Sequence, residues 1–198
     1  MRKLILLLVV LAVAGFAAWK IFDKKEDGPR AEKPKPLSMG TKSGAFNESF
    51  DLMLSAYFEV KDALVASDTV KANAGALKLS TASEGLKVDE ISGDSSGVIR
   101  ETALSFSGTI TGSAQALAGE STLENKRKEF EMISDALWSL TRTVKYEGPK
   151  VYYQFCPMAF ENKGAYWMSR EANIRNPYFG DKMLTCGSTQ DSLEYKNQ

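Results

Sequence analysis

From residue 46 onward, apolar residues recur at intervals of four and three: Phe46, Phe50, Met53, Tyr57, Val60 and Leu64. That spacing places the six side chains on one stripe of a helix beginning near Asn47. Asp68 suits the N-cap of a second helix, for which Val70, Ala74 and Leu77 read as the apolar stripe. The link between the two is short, and short links make antiparallel neighbours, an αα-hairpin. The polar stretch SEGLKVDEISGDSSG reads as a loop, after which Ile99, Ala103, Phe106, Ile110, Ala114 and Leu117 resume the helical spacing. Gly108 and Gly112 within that stripe either weaken the helix or mark close packing against a neighbour. Ser121 and Glu124 form a capping-box signature ahead of Phe130, Ile133, Leu137, Leu140 and Val144. Four amphipathic segments in two hairpins predict an all-α fold, an antiparallel four-helix bundle over residues 41–145 with no sheet in it. Met53, Met132 and Trp138 are assigned to its core, and the charges between the stripes to solvated faces.

The pattern is different on either side of the bundle. Arg2 and Lys3 precede an uninterrupted apolar run, Leu4 to Trp19, which has the layout of a secretory signal. Ala12-Val13-Ala14 and Phe16-Ala17-Ala18 offer small-residue cleavage sites, and an uncleaved run would serve as a thin membrane anchor. Residues 1–22 are therefore read as signal peptide or N-terminal anchor. No cysteine follows the run, which excludes a lipid-modified N-terminal cysteine at this site. Residues 23–40, charged and carrying Pro29, Pro34 and Pro36, read as an extended linker. Both readings of the N-terminus place the remainder in the periplasm, exported or anchored to the inner membrane, with membrane contact only through an uncleaved segment.

Residues 146–198 lose the helical period and become rich in aromatics, Gly, Pro and Asn, the composition of an irregular segment packed on the bundle. Val151 to Phe155 suits a short strand, and Asn176-Pro177 and Gly180-Asp181 suit turns. Asn162, Asn176, Arg170 and Arg175 are expected to fix the loops through turn and backbone hydrogen bonds. The only two cysteines of the chain lie here, each with a methionine close by: Cys156 with Met158, and Cys186 with Met183.

Overall charge narrows the possibilities. Lys and Arg total 25 and so do Asp and Glu, with no dense basic cluster, which argues against a nucleic-acid partner. The chain has no histidine, no G-x-S-x-G and no phosphate-cradling glycine loop, so an enzyme is not expected. Without histidine or four cysteines a typical zinc site is not expected either, whereas thiolate and thioether ligands select Cu(I) and similar soft ions. Met168 is a further sulfur, assigned to packing because it adjoins Trp167. Against the metal site stands a Cys156–Cys186 disulfide, which would close a loop of about 30 residues and contribute roughly 3 to 4 kcal/mol. Export favours such pairing, and unpaired structural thiols are the third reading.

The strings SAYFEVKDALVASDTVKANAGALKL, FEMISDALWSL and VYYQFCPMAFENKGAYWMSREANIRNPYFGDKMLTCG resemble a bacterial family of unknown function, common in Bacteroidetes. Its helical domain occurs alone or fused to periplasmic adaptor subunits of copper and heavy-metal efflux pumps of the resistance-nodulation-division type. The resemblance spans about residues 46 to 188. It implies a metal-related role, with Cys156, Met158, Met183 and Cys186 as ligands, although the histidines many members carry are missing here. The expected function is thus binding of copper, as Cu(I), or another soft ion, for sequestration or hand-over to an efflux adaptor or other envelope protein. The alternative is a non-catalytic structural or interaction module of the envelope, tied by the Cys156–Cys186 disulfide.

Overall fold

A computed structural model describes residues 43–195. The signal or anchor segment and the linker read from the sequence lie outside the described residues. The described part is mostly helical: α1 (Gly44–Val65), α2 (Thr69–Glu84), α3 (Val98–Gly119) and α4 (Leu123–Thr143). A small antiparallel sheet follows: β1 (Val151–Cys156), β2 (Ala165–Ser169) and β3 (Ser188–Leu193), in the order β2-β1-β3. The C-terminal segment is therefore not the irregular coat the composition suggests. Its β3, STQDSL, is a polar edge strand without apolar alternation, and β2, AYWMS, is almost wholly buried, so neither carries the period-2 signal of a half-buried strand.

Caps and stripes explain the helices. Ser43 caps α1 through its side chain to the Phe46 N–H, and Asp68 caps α2 at the Lys71 N–H. The cap of α4 is Thr122, bonded to the Asn125 N–H, one residue later than the capping-box reading placed it. Phe46, Phe50, Met53, Tyr57, Val60 and Leu64 of α1 are fully buried, as are Phe130, Ile133, Leu137, Leu140 and Val144 along α4 and its C-cap. In α3 the stripe holds except at Phe106, which is half-buried. Each helix packs on the next in sequence, and α1 meets α4 where the Tyr57 ring stacks on Phe130, 5.0 Å apart.

The face of α2 is the main departure. Val70 is 77% exposed, Leu77 57%, and Ala74 is exposed too, while Ala72, Gly75, Ala76 and Leu79 turn inward. Size rather than hydrophobicity selects this face: a Cβ at Gly75 would lie 3.1 Å from Val60 Cγ2 and 3.2 Å from the Val60 amide nitrogen. The backbones of α1 and α2 approach too closely for a bulky stripe between them. Gly108 and Gly112, by contrast, face open space and mark no close approach. Met132 belongs to the surface, 55% exposed, and not to the core. Trp138 is buried, stacked on Tyr153 of β1 at 4.3 Å.

One buried cation joins three helices. Lys126, in the first turn of α4, donates to Asn73 Oδ1 at 2.6 Å, to Leu117 O at 2.9 Å and to Glu120 O. It thereby adds hydrogen bonds to carbonyls at the C-terminal end of α3, where a cation is favoured. Lys126→Met removes these three hydrogen bonds and is expected to lower stability by about 2 kcal/mol in urea unfolding. A loss below about 0.5 kcal/mol would contradict that role.

Candidate sulfur site

The register of the sheet explains how the cysteines meet. In β1, Gln154 and Cys156 share a face with Ala165 and Trp167 of β2, because Gln154 pairs with Trp167 and Cys156 with Ala165. The chain between β2 and β3 crosses this face, held by Gln154, whose side-chain amide donates to the carbonyls of Glu171 and Ala172 at 2.9 and 3.1 Å. The chain then enters β3 opposite β1, with Phe155 paired to Ser188. Cys186, two residues before Ser188, thus arrives at the end of β1. The two sulfurs lie 2.9 Å apart, and both cysteines are free thiols.

Aromatic rings hold this arrangement from both sides. On the other sheet face, Trp138, Tyr153 and Tyr166 form a stack with ring spacings of 4.3 and 4.6 Å. Beneath the sulfur pair, Trp167 is fully buried and meets Tyr178 edge-on at 6.0 Å, and the Tyr178 hydroxyl donates to the Tyr166 carbonyl. Gly187 follows Cys186 with φ +138, and a Cβ there would lie 2.7 Å from the Phe155 carbonyl oxygen and 2.9 Å from Trp167. Only glycine lets the strand pass so close to β1. The Tyr57 hydroxyl ties the sheet to the helices: it accepts from the Met168 N–H at 2.9 Å and shares a 2.7 Å hydrogen bond with Ser134 Oγ.

The two methionines have different positions. Met158 is 47% exposed, on the turn after β1, and its backbone N–H donates to the Cys186 sulfur. Met183 is half-buried, and its carbonyl accepts from the Cys186 N–H at 3.1 Å. Both methionines thus engage Cys186 through their backbones. Met168, set aside as packing, is fully buried. The hydrogen bond shared with Cys156 pushes the Cys186 thiol above the usual range, with burial adding to the rise. Among the described residues, no group of three or more His, Cys, Asp or Glu side chains is placed to hold a metal ion.

Asn176, expected to fix a loop through turn and backbone hydrogen bonds, does so across a longer span than a turn. It is fully buried, and its side-chain amide donates to the Cys186 carbonyl at 2.8 Å. The Asn-Pro dipeptide signals the turn, but nothing local in the sequence signals a bond to a residue ten positions on.

The fold and site together define a helical domain that carries a small sheet with a paired-thiol corner. Residues 53–147, most of the helical region, match the family model described as a protein of unknown function (DUF3347). The match begins inside α1 and ends before β1, so both cysteines lie beyond it. Comparison with curated proteins and with solved structures finds no match. No helix among the described residues is long and apolar enough to cross a membrane.

Proposed function

We propose that this protein is a non-catalytic, exported soft-metal-binding protein, in which a four-helix bundle carries a thiol pair that takes Cu(I) or a similar soft ion as cargo. The observation that carries the reading is the meeting of Cys156 and Cys186, 30 residues apart in sequence, with sulfurs at 2.9 Å. Thiolates and thioethers favour soft ions over the hard cations that want oxygen. The apolar run Leu4 to Trp19 supports a periplasmic location, and the resemblance to efflux-linked domains supports hand-over to an efflux adaptor.

The burial gradient gives an order of ligand exchange. Met158 is exposed, Cys186 partly so and Cys156 buried, so an incoming ion meets the thioether first and the buried thiol last. Met158→Leu is expected to slow Ag(I) uptake several-fold in stopped-flow measurements while changing affinity less. An unchanged rate would remove Met158 from the route. Binding must also displace the thiol protons. Because the Cys186 thiol is held protonated above its ordinary range, apparent affinity should fall as pH falls, by roughly tenfold per unit for each proton displaced.

Mass spectrometry of the reduced protein tests the reading. One Cu(I) retained per chain, and none by the Cys156→Ser, Cys186→Ser double variant, is the expected result; equal retention by both would contradict it. A second reading, the disulfide-tied envelope module, is favoured by the short separation. Sulfurs sharing one ion at about 2.3 Å each stand roughly 3.8 Å apart in a tetrahedral arrangement. The pair must therefore part by about 1 Å to admit an ion. Thiol counting on protein taken directly from its compartment distinguishes the two: two free thiols favour the metal reading, none favours the module.

A further inference from the structure

We infer that Asn176 is the positioning residue that sets how closely the two sulfurs approach. This rests on the paired-sulfur reading above, but not on the identity or presence of an ion. The Asn176 side chain is fully buried, and both ends of its amide are used. Nδ2 donates to the Cys186 carbonyl at 2.8 Å, while Oδ1 accepts from the backbone N–H groups of Tyr178 at 2.8 Å and Phe179 at 3.3 Å. Its backbone N–H donates to Leu184 O at 2.8 Å, and its carbonyl accepts from Gly180 N–H at 3.0 Å. One residue thus gathers the turn at 176–180 and the approach to Cys186.

The next residue, Gly187, packs against the Phe155 carbonyl of β1 and against Trp167 with no room for a Cβ. Held by these contacts and by the Asn176 amide, the backbone presents the Cys186 sulfur to Cys156. Asparagine is suited to the task because it accepts on one side and donates on the other at fixed length. Aspartate keeps the acceptor for Tyr178 and Phe179 but cannot donate to Cys186, and it sets a carboxylate oxygen against that carbonyl. The substitution therefore separates support of the turn from the hold on the thiol.

The equilibrium with glutathione disulfide reads this hold directly. Cys156 and Cys186 form an S–S bond as the glutathione S–S bond breaks, and two electrons and two protons pass to give two molecules of glutathione. The equilibrium constant measures how well the protein holds its thiols together. Asn176→Asp is expected to lower that constant at least tenfold, a potential about 30 mV less negative. Arg127→Met is the control: Arg127 ties the same loop to α1, donating to Pro177 O at 2.8 Å and to Leu64 O at 3.3 Å, and its constant should stay within twofold of the parent.

Circular dichroism of the reduced forms establishes that each variant folds. If Asn176→Asp does not fold, Asn176→Ser, too short for the Cys186 contact, takes its place with the same expected shift. An unchanged constant in the Asn176 variant, an equal shift in Arg127→Met, or an unaltered protein whose thiols do not close would overturn the inference. An unaltered protein that closes its disulfide normally but retains no Cu(I) would instead overturn the metal reading and leave this one standing.

Discussion

Gly187→Val is expected to part the two sulfurs and to cost about 3 to 5 kcal/mol of stability. Two effects add. The backbone at 187 has φ +138, a region in which a branched side chain is strained. Its Cβ would also lie 2.7 Å from the Phe155 carbonyl oxygen and 2.9 Å from the Trp167 ring, closer than such contacts occur. Neither neighbour can yield cheaply, since one is the backbone of β1 and the other a fully buried indole. The strand must therefore move, carrying Cys186 away from Cys156. Urea unfolding of the reduced protein gives the stability change, and the glutathione equilibrium gives the loss of pairing. A variant with parental stability and parental pairing would show that the close passage of β3 is not required.

The second large effect is expected at Tyr57, where α1, α4 and β2 meet. Tyr57→Ala should cost about 4 kcal/mol, since it removes a fully buried ring stacked on Phe130 at 5.0 Å. Tyr57→Phe isolates the hydroxyl and should cost about 2 kcal/mol, because the Met168 N–H would then be buried without its acceptor. Burial raises the Tyr57 hydroxyl far above its ordinary range, so it remains a neutral hydrogen-bonding group across physiological pH. The measurement is again urea unfolding. If Tyr57→Phe were neutral, the sheet would be held to the helices by packing alone, and the paired-thiol corner would lack its main polar anchor.

Which features could be read from sequence follows from the sizes of the side chains. The stripes of α1 and α4 were legible because large residues such as Phe46, Phe50, Phe130 and Leu137 occupy the buried positions. In α2 the same rule selects the wrong face. Gly75 and its small neighbours let the backbone approach Val60, while Val70 and Leu77 are left to solvent. Periodicity reports hydrophobicity and is blind to the distance between helices. Strand β1 was legible at Val151 to Phe155, whereas the other two escape for a related reason: β2 is covered on both faces and β3 is a polar edge, so neither alternates.

At the sulfur site, two cysteines in a chain whose N-terminus reads as an export signal were enough to suggest that they meet. The elements that make them meet are long-range. The β1–β3 register, the close approach of Gly187 to Phe155 and Trp167 and the Asn176 bond to Cys186 each join positions that no local window compares. The methionines were read as equivalent ligands flanking the thiols. Their surroundings distinguish them, with Met158 exposed and Met183 half-buried.

The central claim, that the Cys156–Cys186 pair binds a soft ion, is tested most directly by competition for Cu(I) against a colorimetric chelator, under anaerobic conditions and with the protein fully reduced. The predicted result is withdrawal of one equivalent of Cu(I) from the chelator, abolished in the Cys156→Ser, Cys186→Ser variant and in the oxidised protein. Withdrawal that is absent from the reduced protein, or that is the same with and without the two thiols, would contradict it.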